Sequence, residues 1–144
     1  MKNPPPPLTG FLLERTSKLM KKQAQRVLKQ ADAGVTVDQW VILQELAHEN
    51  GLSQYALAER TMKDPPTVTR IIDLLCEKKL LERRADARDR RRFRIFLTRA
   101  GRRKYEQVYP LIRAFRESAF KGLSANERKT LTEFMQRIQE NLKT

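Results

Sequence analysis

A chain of 144 residues is long enough for one domain with a proper core, and its formal charge of +13 (pI near 10.4) calls for a polyanionic partner, nucleic acid first and an acidic membrane surface second. One cysteine, Cys76, excludes an internal disulfide and makes a reducing compartment the natural setting. No apolar run approaches the roughly 18 residues of a membrane span, and the N-terminus is proline-rich rather than basic then apolar, so neither a membrane anchor nor a secretory leader is expected and the cytoplasm is the expected location.

Met1 to Pro7 contains a run of prolines and reads as an extended arm. From Leu8 onward, Phe11, Leu12, Leu19, Met20, Val27 and Leu28 recur at helical spacing, interleaved with Lys and Arg. Such a helix has nothing local to pack on. Ala33-Gly34 breaks it. Thr36 followed by Gln39 is a capping box, opening a second helix through Trp40, Leu43, Leu46 and Ala47 that stops at Asn50-Gly51. Ser53 caps a third, short helix, whose Leu57 and Ala58 are placed to pack beneath the next.

The stretch from Asp64 to Leu97 carries the strongest signals. Asp64 is a good N-cap and Pro65 suits the first helical position, while Pro66 after it is less comfortable. Val68, Ile71, Ile72 and Leu75 form a buried stripe that leaves Pro66, Thr69, Arg70 and Asp73 on the outer face. A short polar face anchored by one arginine suits base edges and phosphates in a major groove. With the preceding helix it forms a helix-turn-helix across Thr61 to Lys63. Leu80 to Arg84 then extends as a strand, and Phe93, Ile95 and Leu97 alternate as a half-buried strand. Residues 86–92 between them, Asp-Ala-Arg-Asp-Arg-Arg-Arg, are too polar to bury and more basic than an ordinary hairpin tip. Residues 82–104 hold eleven Arg or Lys against three acids, +8 of the total +13. A hairpin projecting arginines beside a groove-sized helix is a wing, whose arginines reach the DNA backbone or a narrow minor groove.

Thr98 caps a fifth helix lined by Tyr105, Val108, Tyr109, Ile112, Phe115 and Phe120, with Pro110 a kink or bend and Gly122 its end. Ser124 and Glu127 form another capping box, and Leu131, Phe134, Met135, Ile138 and Leu142 make a stripe wide enough to be buried. The first, fifth and sixth helices either fold back as a single-chain bundle or interlock with a second copy. The second reading is favoured, because a two-fold operator reader needs two recognition helices about one DNA turn apart. The expected fold class is therefore mainly α with a small β-hairpin wing, a winged helix-turn-helix flanked by dimerisation helices. Residues 1–31 are the arm and a dimerisation helix, 32–100 the DNA-binding domain and 101–144 the C-terminal dimerisation helices.

The order of elements, with Gln39-Trp40, Leu57-Ala58, Thr67-Val68-Thr69-Arg70-Ile71, Leu80 with Arg83, the wing Asp86-Ala-Arg-Asp-Arg-Arg91 and Leu97-Thr98-Arg-Ala-Gly101, resembles the MarR family of bacterial transcription regulators over nearly the whole chain. That resemblance implies a homodimeric winged-helix repressor or activator on double-stranded DNA, often relieved by a small-molecule effector. It places Thr67, Thr69 and Arg70 at recognition-helix contacts, and Ser53 and Gln54 at the start of the bracing helix, whose amides hold a phosphate. It makes Asp89 and Arg91 a wing pair in which the carboxylate orients the guanidinium. One departure stands out. The family usually has Gly just after the recognition helix, where Lys79 stands here; Gly suits a left-handed cap, so Lys79 implies either a cost on the order of 1 kcal/mol there or a different turn.

The candidate DNA-binding set is thus Pro66, Thr67, Thr69, Arg70 and Asp73 on the recognition helix, Ser53 and Gln54 on the bracing helix, and Arg88, Asp89, Arg90 and Arg91 on the wing. Arg70 has an alternative in pairing with Asp73 or Glu77 on its own helix. Phe11, Arg15, Trp40, Tyr105 and Phe115 are a candidate effector pocket, with plain core as the alternative. Cys76 borders the apolar stripe and reads as an inert thiol. His48 is the only histidine and suits a helix C-terminus, whereas a zinc site needs several ligands. No nucleophile–His pair, paired-carboxylate motif or Gly-rich phosphate loop is present, so no enzyme activity, catalytic residue, metal or cofactor is expected. The reading is a sequence-specific regulator, expected to be a repressor, bound as a homodimer to a palindromic operator. Its alternative is a winged helix used for protein interaction or non-specific nucleic-acid packaging.

Overall fold

The structure, a computed structural model, describes residues 8–143, so the expected arm of residues 1–7 lies outside the described residues. Six helices and three strands form among them: α1 (Thr9–Gln30), α2 (Val37–His48), β1 (Leu52–Ser53), α3 (Gln54–Thr61), α4 (Pro65–Glu77), β2 (Leu81–Ala85), β3 (Phe93–Leu97), α5 (Arg99–Ala119) and α6 (Ala125–Leu142). The fold class is as expected, mainly helical with a small antiparallel sheet. Two compact units divide within α5, Met1–Ile112 and Arg113–Thr144.

In the first unit, side-chain caps set where helices begin. The Thr36 hydroxyl accepts the Gln39 N–H at 3.1 Å while Gln39 Oε1 accepts the Thr36 N–H at 3.1 Å, the reciprocal pair expected at the start of α2. Ser53 Oγ accepts the Ala56 N–H at 3.1 Å and starts α3. At α4 the usual surplus of free amides is fully absorbed. Pro65 and Pro66 carry no N–H, Asp64 takes the Thr67 N–H at 3.1 Å, and Val68 donates to the Asp64 carbonyl at 3.1 Å. Pro66 is therefore tolerated, since its position has no helical hydrogen bond to lose.

Val68, Ile71, Ile72 and Leu75 on α4 pack into one core with Trp40, Leu43 and Leu46 of α2, Leu57 and Ala58 of α3, and Ile95 of β3. Each large aliphatic buried this way contributes about 1.5–3 kcal/mol relative to exposure. The α4 stripe is thus buried as its spacing implies.

The sheet has the order β1-β3-β2, with Leu52 opposite Ile95 and the β2–β3 hairpin running from Leu81↔Leu97 to Ala85↔Phe93. β1 is an addition to the expected hairpin. Two residues are too short for a periodic signal, and their partner lies far along the chain. The alternation in β3 also fades outward: Ile95 is fully buried, but Phe93 is 46% exposed because the hairpin has left the core by that pair.

The end of α4 explains the Leu-Thr-x-x-Gly pattern. Leu80 N–H returns to the Leu75 carbonyl at 2.9 Å and Lys79 N–H to the Cys76 carbonyl at 2.9 Å, with Lys79 at φ 61°, so of the two alternatives the left-handed cap is the one that forms. Thr98 then donates its hydroxyl to the Lys79 carbonyl at 2.7 Å, its N–H to Leu80 at 3.1 Å, and accepts the Gly101 N–H at 3.0 Å as the cap of α5. A Cβ on Gly101 would lie 2.0 Å from the Leu80 carbonyl oxygen, so only glycine lets α5 start this close to the end of α4.

The second unit is a helical turn. Gly122 takes φ 92° after α5, and Ser124 and Glu127 form the expected capping box, at 3.1 and 2.8 Å. Arg128 ties the turn by donating to the Phe120 carbonyl at 3.1 Å and to Glu117 at 3.3 Å. α6 carries the expected apolar stripe, but within one chain the stripe is not buried. Leu131, Phe134, Met135, Ile138 and Leu142 are 37–74% exposed.

Candidate nucleic-acid interface

α4 presents the expected outer face. Pro66, Thr69, Arg70 and Asp73 are exposed, and Thr67 is half-buried with its hydroxyl donated to Asp64 at 2.8 Å. Those hydrogen bonds from Thr67 hold the Asp64 carboxyl below its ordinary range, with the Arg70 charge adding to the effect. Among the described residues Arg70 makes no hydrogen bond or ion pair, and Asp73 pairs with Arg83 of β2 rather than with Arg70. The guanidinium of Arg70 therefore stands available on the surface.

Gln54 at the start of α3 reaches across to this face. Its amide nitrogen donates to Thr69 Oγ1 at 3.2 Å, and its amide oxygen accepts from Arg83 Nε at 3.1 Å. The Thr69 hydroxyl in turn donates to the Pro65 carbonyl at 3.1 Å. The structure thus brings Gln54, Thr69 and Asp73 together around Arg83, a residue outside the expected contact set. A signal for it existed. Arg83 lies opposite Ile95 and two residues from buried Leu81, on the inward face of the strand, where a charge requires a partner.

The wing is ordered by two aspartates. Asp86 accepts the Arg88 N–H at 2.8 Å and Arg94 Nε at 3.2 Å, which hold its carboxyl below the ordinary range. Its own N–H donates to the Arg92 carbonyl at 2.9 Å, closing the loop. Asp89 accepts the Arg91 N–H at 3.0 Å and pairs with Arg92 Nε at 3.8 Å. Of the expected wing pair, Asp89 thus holds Arg91 by its main-chain N–H, while its carboxylate also lies within ion-pair distance of Arg92. The reason is the tight turn from Asp89 to Arg92, closed by Arg92 N–H to the Asp89 carbonyl at 3.0 Å, which turns the short carboxylate onto the nearest backbone amide. Arg88, Arg90 and Arg91 are exposed, with no ion pair among the described residues.

Between the wing and α3 lies a cleft of about 490 Å³ lined by Ser53, Gln54, Tyr55, Arg91, Arg92 and Phe93. Tyr55, 75% exposed, and Phe93 are outside the expected set. Two arginines and two exposed aromatics there give a cationic, stacking-capable surface between the wing and the start of α3.

Of the five candidate effector-pocket residues, Phe11, Arg15, Trp40 and Tyr105 lie in the first unit and Phe115 in the second. Trp40 is buried and stacks on Tyr105 with ring centroids 5.6 Å apart, as core. Phe11 and Arg15 line a separate cavity of about 370 Å³ on α1 with Glu14, Lys18, Leu19 and Lys22. Phe115 is half-buried in the second unit. Cys76 is half-buried, and burial pushes its thiol up against the opposing effect of Arg83, the direction of an unreactive sulfur. His48 Nδ1 lies 2.8 Å from the Gln44 carbonyl in the last turn of α2.

Comparison with known proteins agrees with this geometry. The MarR family profile matches residues 33–92, the span from the α1–α2 loop through the wing. A protein of Thauera aromatica named for a transcriptional regulatory role at the hcr operon is 30% identical over 129 residues, covering 90% of this chain and 77% of that protein. Among solved structures, S. aureus MepR in complex with DNA superposes with a TM-score of 0.84 at 27% identity, over 94% of this chain and 99% of that one. Bordetella bronchiseptica BpsR, whose DNA binding is regulated by 6-hydroxynicotinic acid, gives 0.85 at 27% identity over 96% and 98%. Among the described residues no helix is long and apolar enough to cross a membrane.

Proposed function

The chain belongs to the MarR family of DNA-binding transcription regulators, and from that premise we propose that it is a homodimeric repressor, acting in the cytoplasm on a palindromic operator. Each subunit lays α4 in a major groove, with Arg70 and Thr69 toward the bases, and sends the wing from Arg88 to Arg91 into the flanking minor groove. Residues 1–31 and 101–144 supply the dimer contacts and residues 32–100 the DNA contacts. The observation that carries this reading is that Arg70 on α4 and Arg88, Arg90 and Arg91 on the wing are all exposed and, among the described residues, without an ion pair. The dimer is supported by the uncovered apolar stripe of α6 and by exposed Phe11, Leu12 and Leu19 on α1.

Release by a small molecule is supported by BpsR, whose DNA binding responds to 6-hydroxynicotinic acid. On this chain the α1 cavity, with Phe11 and Leu19 beside Arg15, Lys18 and Lys22, has the chemistry for a small aromatic acid. The test is selection of duplexes from a random pool at about 0.15 M salt, which suppresses backbone-only binding. Enrichment of a palindrome with half-sites about 10 base pairs apart is the expected result. Salt-sensitive binding with no motif from folded protein would contradict it and favour packaging or partner binding.

A further inference from the structure

We propose that Arg83 is the positioning residue of the DNA-reading face: it ties Gln54 of α3 to Asp73 of α4, and through Gln54 sets the Thr69 hydroxyl, so that base discrimination depends on an arginine that does not itself meet the DNA. This rests on the proposed reading of α4 as the recognition helix. Arg83 sits in mid-strand opposite Ile95, on the face of β2 that packs toward the helices, and its side chain is only 27% exposed. Its guanidinium is used in three directions at once. Nε donates to Gln54 Oε1 at 3.1 Å, one terminal nitrogen pairs with Asp73, and the other lies 4.0 Å from Cys76 Sγ. These partners come from α3 and α4, so one side chain of the sheet ties both helices of the motif.

Two consequences follow from the geometry. Gln54 has its amide oriented by Arg83, so its nitrogen is directed to Thr69 at 3.2 Å and the Thr69 side chain is held in one setting. Asp73, exposed on a face meant for a polyanion, has its charge offset by Arg83 and does not stand as an isolated repulsive carboxylate. A planar fork with fixed donor directions makes these contacts together; the single ammonium of a lysine, a compact point charge, does not reproduce the set. Arg88, Arg90 and Arg91 of the wing, by contrast, are exposed and without an ion pair among the described residues, and supply charge rather than alignment.

The experiment compares operator with random-sequence DNA for the full chain, using a wild-type-selected duplex as probe, across a salt series. Arg83→Lys keeps the net charge. Its salt slope and non-specific affinity are expected to match wild type, while the operator-to-random ratio falls by about tenfold, the scale of one misread base pair. Gln54→Met is expected to lower the same ratio, and the double variant to be no worse than the weaker single, as for residues acting as one unit. A thermal unfolding midpoint close to wild type confirms that the variants are folded. The inference is overturned if Arg83→Lys keeps the wild-type ratio, if the two substitutions simply add, or if Arg83→Ala lowers specific and non-specific binding equally with a slope reduced by about one, the mark of a direct phosphate contact. A wild-type chain that does not discriminate operator from random DNA would instead overturn the recognition-helix reading itself.

Discussion

Lys79 occupies a left-handed turn, φ 61°, that closes α4 and feeds β2. Its backbone hydrogen bonds are those of a glycine cap, made by a residue with a Cβ that crowds its own carbonyl. Lys79→Gly is therefore expected to stabilise the fold by about 1 kcal/mol, read as a higher urea midpoint at unchanged slope. A lower midpoint would mean that the lysine side chain contributes more than the turn costs. The departure from the family pattern at this position thus changes strain without changing the turn. At the same scale, Thr98 and Gly101 show why a short pattern carries so much information: one hydroxyl joins two elements, and one missing Cβ lets them meet.

At the scale of elements, α4 and the wing are organised by opposite means. α4 is held by burial of one face and by an N-terminus whose amides are missing at Pro65 and Pro66 and bonded at Thr67 and Val68. The wing has no core beneath its tip; Asp86 and Asp89 order it through backbone amides. Arg91→Ala is expected to weaken DNA binding across all sequences and to flatten the dependence of log K on log salt by about one unit, measured by titration at several salt concentrations. An unchanged slope would place Arg91 away from the phosphates.

The elements that could be read from sequence are those with local causes. The caps at Thr36, Ser53, Asp64 and Ser124 and the stripe of α4 involve residues three or four apart, and each forms as its pattern implies. β1 escaped because its pairing with Ile95 and Arg94 is remote in the chain and only two residues long. The hub at Arg83 escaped for a related reason: Gln54, Asp73 and Arg83 lie on three different elements, and their meeting depends on how those elements pack. The contact of Asp89 with the Arg91 backbone N–H depends on the tight turn from Asp89 to Arg92, which residue types alone do not specify.

For the whole molecule, the net charge of +13 and the uncovered apolar faces have different roles. Charge brings the chain to DNA without choosing a sequence. The stripe of α6, with Phe134 54% and Met135 39% exposed, is what a second copy would cover. Paired substitution Phe134→Glu with Met135→Glu is expected to give monomers by sedimentation while leaving the fold of residues 32–100 intact. Dimers that persist unchanged would move the interface elsewhere.

The central claim, that α4 reads bases through Arg70, is tested most directly by selecting duplexes from one random pool with wild type and with Arg70→Ala side by side. A symmetric motif is expected from wild type. The variant is expected to lose base preference at one position in each half-site, with operator binding weakened by about 1–3 kcal/mol. If both proteins enrich the same motif to the same depth, Arg70 does not read the operator and the placement of α4 is wrong.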